Sequence, residues 1–135
     1  MDKPLTIFDV AGRAMSAQLV RMNTTASNLA NAGGVASSEA EAYRSLKPVF
    51  KTSYDQATGL ATVDVKQVVT AGPAPTKRHD PNHPMANKDG YVFESAVDET
   101  REMVDMMETA RTYKNNVEVL QTAKSLILDT LRLGR

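Results

Sequence analysis

Apolar and polar positions in the last third of the chain, from about Ser95 onward, recur with a helical period. Met103, Met106, Ala110, Tyr113, Val117 and Leu120 are separated by alternating steps of three and four, and the stripe then passes to Ala123, Ile127 and Leu131. A mean spacing near 3.5 residues predicts a coiled-coil seam rather than a broad core-facing stripe. A helix of roughly 35 residues is about 50 Å long, whereas a compact chain of this size has a radius of gyration of about 14 Å. Such a helix needs a partner helix along its length.

A second seam runs from about Thr6 to Asn31 through Phe8, Ala11, Met15, Leu19, Met22, Ala26 and Leu29. Thr6 and Asp9 form an N-cap and N3 pair behind Pro4, and Gly33-Gly34 supplies a stop where φ > 0 is tolerated. Ser95 followed by Asp98 predicts the corresponding start of the last helix. Glu99, Glu102 and Asp105 then crowd its first turns, where the helix dipole favours negative charge.

Between the seams the pattern changes. Small polar residues over 33–42 predict an irregular, mobile loop. Residues 48–54 and 60–70 predict a hairpin closed by the Asp55–Gly59 turn. Pro73, Pro75, Pro81 and Pro84 keep residues 71–86 out of helix, and Asp89-Gly90 marks a turn before a short strand at Tyr91–Phe93. The expected fold is mainly α with a β insertion. The N-terminal helix (1–32) and C-terminal helix (96–135) pair as an elongated coiled coil around a β-hairpin-rich middle segment (33–95).

Composition limits the core and the partners. Aromatic residues make up 5% of the chain and Trp is absent, so any central core is modest. Formal net charge is zero, which argues against nucleic-acid binding and against steering to anionic membranes. There is no cysteine, hence no disulfide and no thiolate chemistry. Met1-Asp2-Lys3-Pro4 leads into no apolar run of the secretory kind, and no run is long enough to span a bilayer. The expectation is a cytoplasmic protein, or one exported by a route that leaves no cleaved leader.

Candidate chemistry is sparse. His79, Asp80 and His83 form the one enzyme-like cluster, and a metal-dependent enzyme centred there is the reading from a different class. Pro81 and Pro84 forbid the helix that would place both histidines on one face, and a proline-stiffened surface loop is the simpler account. No nucleophile elbow, phosphate loop or dinucleotide fingerprint occurs. No catalytic substrate, cofactor or metal is expected. The methionines of the seams read as gap fillers or as a soft binding surface. The acidic run from Glu94 to Glu108 reads as solvated carboxylates. Asn23, Asn28 and Asn31 are unusual on a helix. Buried amides there would fix register and partner, or Asn31 merely ends the helix while Asn23 faces solvent.

Several stretches carry a family likeness. Met22-Asn23 with Ala26-Ser-Asn-Leu-Ala-Asn-Ala32, and Tyr113-Lys-Asn-Asn-Val-Glu-Val-Leu120, resemble the N- and C-terminal signatures of bacterial flagellar rod and hook proteins. Phe8-Asp-Val-Ala-Gly12, Tyr43-Arg44 leading into Pro48-Val-Phe50, and Asp80-Pro-Asn-His-Pro84 with Asp89-Gly-Tyr-Val92 narrow the likeness to the proximal-rod members. The resemblance implies an axial structural protein, not an enzyme, with the terminal helices in an inner tube and the middle segment outside it. It implies export by the flagellar type III apparatus without a cleaved signal peptide, and a place in the periplasmic basal-body rod between membrane ring and distal rod. Implied partners are copies of the chain, other rod proteins, the export apparatus, the membrane ring and the rod cap. The residues expected to pack between subunits are Phe8, Met15, Leu19, Met22, Asn23, Asn28, Leu29, Asn31, Met103, Met106, Tyr113, Asn116, Val117, Leu120, Ile127 and Leu131. Another type III-exported component, such as a hook or adaptor protein, is the nearest competing reading.

Overall fold

The computed structural model describes residues 3–134, so Met1, Asp2 and Arg135 at the ends of the two expected helical segments lie outside the described residues. The chain runs α1 (Ile7–Ala30), β1 (Val35–Ala36), β2 (Leu46–Asp55), β3 (Leu60–Thr70), β4 (Thr76–His79), β5 (Tyr91–Glu94) and α2 (Glu99–Leu133).

Helix α1 begins as its capping signal predicts. Thr6 Oγ1 accepts from the Asp9 N–H at 3.3 Å, and Asp9 Oδ2 accepts from the Thr6 N–H at 2.9 Å. Two of the orphan donors at the helix start are thereby satisfied reciprocally. The helix ends at Asn31, and Gly33 follows with φ of 73°, a left-handed conformation that favours glycine. Helix α2 starts later than expected. Asp98, not Ser95, is its N-cap, accepting from the Arg101 N–H at 3.1 Å. Ser95 donates its own N–H to the Gly34 carbonyl at 2.9 Å, so the chain is still tied to the residue before β1 and cannot yet turn helical.

The hairpin β2–β3 is antiparallel, from Leu46↔Thr70 to Asp55↔Leu60, with a register shift between Val49 and Phe50. Its base closes on the segment after β3. Ala71 N–H bonds to Ser45 O at 3.0 Å, Arg44 reaches Gly72 O at 2.7 Å, and a Cβ at Gly72 would stand 2.7 Å from Ser45 N. Only glycine allows that approach. A second sheet, ordered β1-β5-β4, is antiparallel throughout. Two of its strands differ from expectation. Residues 33–42 are not a loose loop, because Val35–Ala36 pair with β5 and Ala36 and Ala42 are buried. Thr76–His79 forms an edge strand between Pro75 and Pro81, where no interior ladder bond is lost to a proline.

The helices pack antiparallel, with the hairpin on α1. Arg21 of α1 reaches Asp105 and Glu108 of α2 at 3.2 and 3.7 Å, while Arg13 reaches Asp64 of β3 at 3.3 Å. The buried apolar side chains are small: Ala11, Ala17, Ala36, Ala42, Ala123 and Val92. They share the interior with Thr24, Thr25, Asn28, Ser45, Thr62, Ser95, Glu102 and Thr109. Small residues let the elements approach closely, at the expense of hydrophobic burial, which scales with apolar area removed from water.

Candidate assembly surfaces

Asn28 organises one end of the molecule. It is 2% exposed, and all four of its side-chain hydrogen-bonding positions are used. Nδ2 donates to Leu46 O at 3.0 Å and to Glu102 Oε2 at 3.1 Å, while Oδ1 accepts from Leu46 N–H at 2.8 Å and Tyr43 OH at 2.7 Å. The Tyr43 proton being committed, Ser27 Oγ, 3.0 Å away, donates to the phenol. One amide therefore ties α1 to α2, to β2 and to the segment before it. The other two asparagines do otherwise: Asn23 is exposed, and Asn31 caps the helix, donating to Ser27 O at 2.8 Å.

The face that α2 turns to α1 is rotated from the apolar stripe. Glu102, Thr109 and Ala123 are buried and Asn116 is half-buried, a strict seven-residue series, alongside half-buried Met106, Tyr113 and Leu120. Met103, Ala110 and Val117 are each one position off that series, and Met103 and Ala110 are exposed. The shift follows from the Asn28–Glu102 bond, which sets the register at this end with a polar pair. On α1 the corresponding stripe is split. Met15, Met22 and Leu29 are half-buried, whereas Phe8, Leu19 and Ala26 are exposed. At about 100° per residue, Phe8, Leu19 and Ala26 lie away from Arg13 and Arg21, which face the hairpin and α2. Met103, Met107 and Ala110 likewise lie opposite Arg101 and Asp105, which line the groove beside β2. The two helices thus present one apolar face on the side away from the hairpin.

The far end of α2 has no cover from α1. Asn28 meets Glu102, so paired positions sum to 130 and Ile7, the first residue of α1, falls opposite Ala123. Ala123 is the last buried residue of α2, and every residue from 124 to 133 is exposed. This overhang is about 15 Å long. Leu126, Ile127, Leu128, Leu131 and Leu133 occupy an arc of about 220° around it, wider than the face one helix covers.

The remaining features are polar. A groove of about 500 Å³ between α1, β2 and the start of α2 is lined by Arg21, Lys47 and Arg101 against Asp98, Glu102 and Asp105, so its charges cancel. His79 packs edge-on to Tyr91, Asp80 pairs with Arg78 at 3.5 Å, and His83 Nδ1 accepts the Met85 N–H at 3.0 Å. Among the described residues, no group of three or more His, Cys, Asp or Glu side chains is placed to hold a metal ion. Sequence reading missed Glu102 as an interior residue, having taken it as a solvated first-turn carboxylate. The series 102, 109, 116 and 123 was its one available signal, and three of those four residues are polar.

Comparison with known proteins finds a family match at each end of the chain. Residues 8–35 match the family described as flagella basal body rod protein, and residues 88–133 match the flagellar basal body rod FlgEFG protein C-terminal family. The chain is 45% identical to flagellar basal-body rod protein FlgC of Salmonella typhimurium over 133 residues, covering 97% of this chain and 98% of the relative. The FlgC proteins of Escherichia coli O157:H7 and Yersinia enterocolitica are 45% and 43% identical at the same coverage. With such identity over nearly the whole length of both chains, this chain belongs to the FlgC family of flagellar basal-body rod proteins.

Proposed function

We propose that this chain is a structural subunit of the proximal flagellar rod, built to bury its apolar helix faces against neighbouring subunits. The observation that carries this reading is the inverted distribution of side chains: alanines and polar groups inside, Leu, Ile and Met outside. A chain that keeps its large apolar residues in water has surface to give to an assembly. Each Leu, Ile or Met fully buried there contributes about 1.5–3 kcal/mol. Heterologous contacts repeated by a rotation that does not close generate a helical tube.

In this reading the helical segments 1–32 and 96–135 form the axial part, pairing as coiled coils within and between copies and with other rod proteins. The middle segment 33–95 lies outside it. The subunit passes unprocessed through the flagellar type III export apparatus and sits in the periplasmic basal body beside the membrane ring, with the rod cap in place during growth. Its work is mechanical, transmitting torque, and involves no catalysis. Of the expected packing residues, Ile127 and Leu131 on the overhang and Phe8, Leu19 and Met103 on the exposed face are free for neighbours. Asn28 instead holds the subunit's own fold.

The test is the pair Ile127→Asp with Leu131→Asp. The variant protein is expected to be made and folded, yet cells carrying it should lack complete rods by electron microscopy and should not swim. Normal swimming would contradict the proposal.

A further inference from the structure

Five of the seven methionines lie on the two helices, and two of them stand out. Met103 and Met107, one turn apart on α2, are 58% and 72% exposed, whereas Met15, Met22 and Met106 are half-buried. The two exposed thioethers sit on the unpartnered helix face, not on the side held by Asn28 and Arg21. Oxidation of methionine follows access to the sulfur and turns a flexible apolar side chain into a polar one.

We propose that Met103 and Met107 form an oxidation site, through which hydrogen peroxide disables the assembly face of the free subunit while leaving its fold intact. The sulfur attacks one peroxide oxygen and the O–O bond breaks. Sulfur loses two electrons to become the sulfoxide, and the peroxide is reduced to water as the proton of the attacked hydroxyl passes to the departing one. The fold survives because neither side chain belongs to the buried set around Asn28, Thr109 and Ala123. The face does not, because a sulfoxide oxygen buried between helices lacks the donor it had in water. Met85 is an internal control: it is 43% exposed but belongs to neither helix, lying in the loop after His83, where its carbonyl accepts from Ser37 Oγ. The effect on assembly rests on the rod reading above, whereas the selectivity of oxidation does not.

The experiment has two arms. In the first, the purified chain is treated with hydrogen peroxide and sulfoxides are mapped by mass spectrometry while helicity is followed. Met103 and Met107 should oxidise several-fold faster than Met15, Met22 and Met106, with helicity unchanged. Equal rates, or loss of helix in step with oxidation at these two sites, would overturn the proposal. In the second, cells carry Met103→Gln with Met107→Gln as a sulfoxide mimic, Met103→Leu with Met107→Leu as an inert pair, or Met85→Gln. Rods should be lost only in the first strain, and intact rods there would overturn the proposal. Failure of the rod reading would look different: a strain lacking this chain altogether would still build rods, while the mapped selectivity would still support the oxidation site.

Discussion

The two ends of the helix pair follow opposite rules. At the Asn28 end, polar groups are interior and fully bonded, and they join four segments of chain through one amide. At the other end, beyond Ala123, large apolar groups are exterior and extend past the level of Ile7, where α1 begins. The first end is specified by directional bonds, each unforgiving when one partner is removed. The second is specified by area, which any sufficiently apolar neighbour can cover. In the proposed rod subunit this division has a use: the rigid polar joint fixes the subunit's own shape, and the uncovered apolar surface is left for association.

The strongest way to break the contrast is Asn28→Ala. It leaves Tyr43 OH, both polar groups of the Leu46 backbone and the Glu102 carboxylate without their partner, at a cost of about 3–5 kcal/mol if two or three stay unsatisfied. Urea denaturation should show a midpoint lowered accordingly; a loss below about 1 kcal/mol would mean that the joint is not specified by these bonds. A smaller effect is expected at the start of α1. Thr6→Ala removes the cap and should cost about 0.5–2 kcal/mol. The same cap is sensitive to acid. Hydrogen bonds from Thr6, the backbone N–H first, hold the Asp9 carboxyl below its ordinary value of 3.8. The unfolded chain therefore binds the proton more readily. The Asp9 contribution is complete above that ordinary value and is lost as pH falls through the lower folded one. Acid titration followed by NMR should show the first turn of α1 fraying in that window, and Asp9→Asn, which has no carboxyl to protonate, should abolish the transition. The smallest effect on the free subunit is expected at the opposite end, where Ile127→Asp with Leu131→Asp should shift stability by no more than about 0.5 kcal/mol. A large destabilisation would show that the overhang packs within its own chain.

Both helices, the Asp55–Gly59 hairpin and the β5 strand were legible because each has a local cause: apolar period, cap, turn glycine. The helix pairing was legible only in outline. The apolar stripe through Met103 and Ala110 marks a face, but which face meets α1 is decided by Asn28 and Glu102, side chains 74 positions apart. No local pattern announces that bond, and a polar residue in an acidic first turn reads as solvated. Strand β4 was hidden by its flanking prolines, and β1 by its length of two residues, too short for alternation to register. The start of α2 was displaced by the Ser95–Gly34 bond, again a distant contact. The exposed residues Ile127 and Leu131 were legible as a continuing seam.

The central claim is that the overhang is an assembly surface, and amide hydrogen exchange tests it most directly. In the dilute subunit, residues 124–133 form a short helical extension without tertiary cover, and such helices are marginal in water. Their amides should exchange fastest within α2, while those around Asn28 and Glu102 remain protected. In isolated basal bodies, the same ten positions should become as protected as the Asn28 end. Fast exchange of residues 124–133 in the assembled rod, or full protection already in the free subunit, would contradict the account.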